Sequence, residues 1–214
     1  HDEPRGASRY LPWHAQNADG VKMLGTVNVL LRGLPFLYQG QEIGMTNCRR
    51  SDISEYDDID TKHQYQEALK AGLGKEEALE ICCRFSRDNA RTPMQWSGEK
   101  NGGFTAGTPW LKINDNYKEI NVEAQEADEN SVLSYYRKLT ALRKDPALKD
   151  AFIYGEFVPA LEDVPGVLAF YRRGAQENVL VLTNFGTKET EVSLDKEPDH
   201  ILLSNQGRTD RKSV

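Results

Sequence analysis

A chain of 214 residues with 38% hydrophobic and 28% charged positions has the composition of one or two globular domains rather than of a disordered or fibrous protein. Its net charge of −6 is scattered over acids and bases without a basic stripe, which argues against nucleic acid or an anionic membrane as partner. No apolar run approaches the roughly 20 residues of a membrane-spanning helix.

The chain opens on His1-Asp2-Glu3-Pro4-Arg5. An imidazole beside a carboxylate reads as part of an active site whose remainder lies upstream, although most such dipeptides are only surface pairs. From Asn17 or Asp19, either of which suits an N-cap, Val21, Leu24, Val27, Leu30 and Leu31 follow at helical spacing until Gly33. A short link leads to Phe36-Leu37-Tyr38, a short apolar strand expected to end at Gly40. Helix followed by buried strand is the alternation of a parallel α/β fold. The amides, carboxylate and glycines of Gln39-Gly40-Gln41-Glu42 then fall where a parallel barrel places its ligand loops.

Residues 51–60 are acidic and loop-like, and the run from Glu55 to Asp60 reads as a solvated loop rather than a cation site. No D-x-D-x-D-G loop is present, so no metal is expected. Helices are expected over 65–71 and 75–83, broken at Gly72 and Gly74. The polar stretch 97–130 is long for an unstructured loop in a compact domain, so local structure or a function is expected there. Asn130 should cap a helix carrying Leu133, Tyr136, Leu139 and Leu142 inward, stopped by Asp145-Pro146. The period then changes. Residues 151–158, 167–172, 179–184 and 189–194 read as short strands of an antiparallel meander, divided by Pro165-Gly166, Gly174 and Gly186. A further segment, 200–204, precedes a polar tail over 205–214, and the sheet is expected to be trimmed at this end. Cys48, Cys82 and Cys83 have neither a disulfide framework nor metal spacing. Buried free thiols and a cytoplasmic location are the expectation.

The densest chemistry lies in Arg87-Asp88-Asn89-Ala90-Arg91-Thr92-Pro93-Met94-Gln95-Trp96. Two guanidinium forks, an acid, amides and an indole can hold carboxylates, hydroxyls and a sugar face, or can build a structural salt-bridge loop. HDEPR, GLPFLYQGQEIGMTN and RDNARTPMQW, in this order, together with NYKEINV (116–122) and YYRKLTALRK (135–144), resemble the α-amylase superfamily of glycoside hydrolases. The resemblance is strongest to its oligo-1,6-glucosidase and α-glucosidase branch and covers essentially the whole chain.

That resemblance implies the C-terminal part of a (β/α)8 TIM barrel over 1–149, followed by an antiparallel, sandwich-like β domain over 150–214, both incomplete. It places His1 and Asp2 at the end of the seventh barrel strand and 34–39 on the eighth. Asp2 is then the carboxylate that stabilises the transition state, while His1 and Arg87 bind substrate. Glu3 and Gln41 depart from the Gln and Glu that many relatives carry. No metal or cofactor is implied.

An oxocarbenium-like transition state is cationic, so a carboxylate such as Asp2 stabilises it, and Arg87 offsets the repulsion among clustered acids. A retaining glycosidase also needs a nucleophile and a general acid roughly 5–5.5 Å apart. The resemblance puts both on strands preceding His1, and a whole barrel takes about 250 residues, so the chain alone is expected to be inactive. The parent protein is expected to be a retaining α-glucosidase acting on small oligosaccharides, α-1,6-linked isomalto-oligosaccharides first. Trehalose-6-phosphate hydrolase, sucrose isomerase and a non-catalytic, transporter-associated scaffold are the alternatives. Self-association or a complementary N-terminal chain is the expected protein partner, since 34–40 and the helix before it would expose apolar surface.

Overall fold

The computed structural model describes residues 1–207. In chain order it contains α1 (Gly6–Tyr10), α2 (Ala18–Leu30), α3 (Ile59–Lys70), α4 (Lys75–Phe85), α5 (Val122–Glu126) and α6 (Val132–Lys144), then β1 (Glu156–Ala160), β2 (Val167–Arg173) and β3 (Asn178–Asn184). The chain divides into two compact units. The first comprises His1–Val21 and Leu37–Ser134, and the second Lys22–Phe36 and the chain from Tyr135 onward.

In the first unit the α3–α4 hairpin buries Tyr56, Tyr65, Ala78 and Cys82, with Ile53, Ala68, Leu69 and Leu79 packed against them. The i, i+4 pairs Tyr65/Leu69 and Ala78/Cys82 give each helix its inward stripe. Helix α3 starts six residues before the expected Tyr65. Its first turn and a half is polar, so apolar periodicity cannot reveal it, and the start is set instead by the Asp58 side chain, which accepts the Thr61 amide at 3.1 Å. A second core joins Ile43, Met45 and Met94 to Ile120, Val122 and Leu133. Gly40 enters it at φ +82°, where a Cβ would lie 2.3 Å from the Met45 sulfur, so only glycine fits.

The polar stretch 97–130 is locally structured, as expected. It holds 3-10 turns at Lys100–Gly103 and Asp115–Lys118 and ends in α5, capped by the Asn121 side chain on the Ala124 amide at 2.8 Å. Buried Gln95 pins it, donating to the Ile120 carbonyl at 2.5 Å and to Asn116 Oδ1 at 3.2 Å. Residues 34–38 carry no regular secondary structure and belong to no sheet, and Leu34 and Phe36 are 77% and 80% exposed. The expected strand is therefore not formed, because no parallel neighbour exists among the described residues to accept its ladder.

Helix α2 begins where Asn17 Oδ1 accepts the Gly20 amide at 3.1 Å, so Asn17 rather than Asp19 is the cap. In the second unit Gly25 lies under the Tyr136 ring, where a Cβ would meet Cζ at 2.8 Å. The Thr26 hydroxyl meets the Tyr135 hydroxyl at 2.8 Å. Two arginines satisfy the carbonyls at the C-terminal end of α2: Arg143 donates to Val29 at 2.7 Å and Arg172 to Leu30 at 3.0 Å. Helix α6 is capped by the Ser131 hydroxyl on the Ser134 amide at 3.0 Å, one residue later than the expected Asn130.

The sheet is antiparallel, in the order β1-β2-β3, with Pro159 facing Phe170 and Phe170 facing Val181. The rings of Phe157 and Phe170 lie 5.0 Å apart. Val179, Val181 and Thr183 bury one face of β3 at the period of two. Residues 151–154 are not strand: Asp150–Tyr154 forms a π-helical turn, and β1 begins only at Glu156. Neither 189–194 nor 200–204 is strand, so the expected longer meander and sandwich reduce to one three-stranded sheet among the described residues. With no partner to pair against, alternation in Val192 and Leu194 is not enough to make a strand. The end of the polar tail, 208–214, lies outside the described residues.

Cys48, Cys82 and Cys83 are free, the first two buried and the third half-buried. Burial pushes the Cys48 and Cys82 thiols up, which makes them poor nucleophiles. Among the described residues no helix is long and apolar enough to cross a membrane.

Candidate active site

The three sequence motifs meet around one side chain, Arg5. Its backbone amide donates to Asn47 Oδ1 at 2.9 Å, and its buried guanidinium donates to the carbonyls of Asn89 (2.9 Å) and Thr92 (3.3 Å), to the Thr92 hydroxyl (3.0 Å) and to the Gln39 carbonyl. Desolvation lowers its pKa to about 10, with Tyr38 and Glu42 acting the other way. A planar fork with five donors can serve carbonyls of two separate segments at once, and lysine could not. Arg5 thereby anchors the turn carrying His1 and Asp2 beside the segment 87–92.

Within that frame Asp2 faces two guanidinium groups. Its Oδ1 accepts from Arg91 Nη2 at 3.2 Å and lies 3.8 Å from Arg87 Nη1, and its Oδ2 lies 3.1 Å from His1 Nε2. His1, Asp2 and Arg87 are thus brought together. The Asp2 side chain remains half-exposed.

The sequence reading missed what lies behind the arginines. Asp58 is buried, and its Oδ1 accepts from Arg87 Nη2 at 2.5 Å and Nε at 3.2 Å, with Arg91 Nη1 at 3.9 Å. Asp60 adds a longer contact to Arg87 Nη2 at 3.3 Å. Fully buried Asp88 turns Oδ2 to the amides of Asp57 (2.7 Å) and Asp58 (3.0 Å), and its Oδ1 lies 3.8 Å from Arg91 Nη1. The expected solvated loop over 55–60 therefore needs correcting at Asp58, which buries its charge against fixed cations.

Burial raises the Asp58 pKa, but hydrogen bonds from Arg87 and Thr61 outweigh it and hold the carboxyl below its ordinary value. The Arg87 pKa is raised, first by its hydrogen bond to Asp58. Arg91 and Arg87 are one helical turn apart in sequence, a spacing that could have suggested a shared acid. Which acid it was could not be read from the chain.

Chemically, the site presents a carboxylate and an imidazole backed by two fixed cations, a set suited to sugar hydroxyls and to a developing positive charge. Among the described residues no group of three or more potential metal ligands clusters together.

Comparison with known proteins gives the class. Residues 1–151 match the α-amylase catalytic domain, and residues 167–213 match the α-amylase SusG C-terminal domain. The chain belongs to the α-amylase family of glycoside hydrolases. Among its relatives, an oligo-1,6-glucosidase of Parageobacillus thermoglucosidasius is 44% identical over 207 residues, which is 96% of this chain and 36% of that protein. The crystal structure of Bacillus licheniformis trehalose-6-phosphate hydrolase superposes with a TM-score of 0.89 at 42% identity, covering 97% of this chain and 38% of that one. An isomaltulose synthase from Protaminobacter rubrum gives a TM-score of 0.83 at 38% identity, over 92% and 35%. The chain thus spans little more than a third of the length of these relatives.

Proposed function

We propose that the protein carrying this chain is a retaining α-glucosidase of small oligosaccharides, with α-1,6-linked isomalto-oligosaccharides as preferred substrates. The observation that carries this is Asp2, half-exposed with one oxygen on Arg91 and near Arg87. In the proposed reaction Asp2 stabilises the oxocarbenium-like transition state, and His1 and Arg87 hold hydroxyls of the same sugar. The nucleophile and the general acid come from residues other than these 214, so the isolated chain does not turn over substrate. The preference for 1,6 linkages is supported by similarity to the oligo-1,6-glucosidase. Similarity to the trehalose-6-phosphate hydrolase and the isomaltulose synthase makes those two activities the alternatives within the class. A cytoplasmic site of action is supported only by the three free cysteines.

The test is kinetic and uses the complete protein. Isomaltose should be turned over with a higher kcat/KM than trehalose 6-phosphate or sucrose, and either of the others leading would replace the substrate proposed. Asp2→Asn should lower kcat on the order of 100-fold with little change in KM. Arg87→Lys keeps the charge but loses the fork, and should chiefly raise KM. Loss of none of these activities on Asp2→Asn would remove Asp2 from the chemistry, and absence of all turnover in the unsubstituted protein would leave the non-catalytic scaffold.

A further inference from the structure

We infer that Asp58 is the positioning residue of this site: through one carboxylate oxygen it sets Arg87, and through Arg87 the geometry offered to a sugar beside Asp2. The inference rests on the reading that Arg87 binds substrate. Arg87 is 35% exposed at its side chain and would, if untethered, sample many rotamers. Asp58 removes that freedom by accepting from both Nε and Nη2, at 3.2 and 2.5 Å, leaving Nη1 as the end that points toward Asp2 at 3.8 Å.

Asp58 itself is held without help from the arginines. Its Oδ2 accepts the Thr61 amide at 3.1 Å and the Thr61 hydroxyl at 2.7 Å, and its own amide donates to the buried Asp88 at 3.0 Å. The two oxygens divide the work, Oδ2 fixing the carboxylate to the start of α3 and Oδ1 fixing the arginine. Such an arrangement lowers the ordering cost of binding, so its loss should appear in KM and in inhibitor affinity rather than in kcat.

That division allows a test that separates positioning from structure in the complete protein. Asp58→Asn should raise KM for p-nitrophenyl α-glucoside about tenfold with kcat within about threefold, and should weaken calorimetric binding of 1-deoxynojirimycin by a similar factor. Thr61→Val removes a hydroxyl from Oδ2 but leaves Oδ1 on Arg87, so it should lower Tm and leave KM within about twofold. In an Arg87→Ala background Asp58→Asn should change KM far less than it does alone, because only the 3.9 Å approach of Arg91 to Oδ1 then remains. If Asp58→Asn does not fold, Asp58→Glu, which keeps the charge and moves it by one methylene, decides by the same comparison. Equal KM shifts in the Asp58 and Thr61 variants, or full additivity with Arg87→Ala, would overturn the inference. Failure of the α-glucosidase reading is a different result, namely no hydrolysis by the unsubstituted protein.

Discussion

Asp58 shows how far a residue's surroundings can override its type. It stands in an acidic stretch, Asp57-Asp58-Ile59-Asp60, whose composition announces water, and yet its carboxylate is buried on Arg87 and Thr61. Its pKa is depressed in the folded state from an ordinary value of 3.8. The stability it contributes is therefore fully present above about pH 4 and drains away as the pH falls through the lower folded value. Urea unfolding between pH 6 and 3 should show the complete protein losing stability on acidification, and Asp58→Asn should flatten part of that slope. An unchanged slope would mean the carboxylate titrates alike folded and unfolded. His1, Asp2 and Arg87 were singled out because their motifs resemble a family's, not because of their spacing, since Asp2 and Arg87 stand far apart in the sequence. Asp58 was not, since its partner lies 29 positions away and only folding brings them together.

Elements were legible in proportion to the apolar periodicity of their own residues. Helices α2 and α6 carry it throughout and were placed within a residue or so, whereas the first turns of α3 rest on a cap and polar side chains. The sheet was visible where β2 and β3 pair along their length, and overcalled at 151–154 and 189–194, where β-type residues have no ladder to join. What fixes the elements to each other in the second unit is less visible still. Arg172 is fully buried in β2, donating to the backbone carbonyls of Leu30 at 3.0 Å, Phe152 at 3.0 Å and Gly155 at 3.1 Å. Desolvation lowers its pKa, and Arg143 and Arg32 push the same way. Arg172→Met keeps the apolar stem but strands three carbonyls, and should cost on the order of 2–4 kcal/mol in denaturant unfolding. A loss within about 0.5 kcal/mol, the range of ordinary surface substitutions, would show that water replaces the guanidinium.

At the scale of the whole molecule, the family's barrel is present in its sequence motifs and absent as a ladder among the described residues. Residues 34–38 join no ladder and carry Leu34, Phe36, Leu37 and Tyr38 with between 37% and 80% of their surface exposed. An unpaired apolar segment is a template for another backbone. Prepared alone, the 214-residue chain should self-associate at micromolar concentration, and Phe36→Lys should reduce that association. Sedimentation of a single, concentration-independent monomer would count against it. The apolar run alone suggests such association, while the absence of pairing required the structure, because the hydrophobicity of a segment says nothing of whether its neighbour is there.

The anchoring of Arg5 has a consequence for how such a site can diversify. Its contacts to the segments at Gln39 and Asn89 end on main-chain oxygens, so it reads the path of the backbone there and is blind to what the residues display. The exposed Gln39 side chain can drift, and with it the preferences of its loop, while the carboxylate of Asp2 keeps its place; Asn89 cannot, since its own side chain is buried and bonded to the Cys48 amide and the Cys83 carbonyl. A fastening that reads only the main chain on the Gln39 side lets that loop vary without dismantling the site behind it.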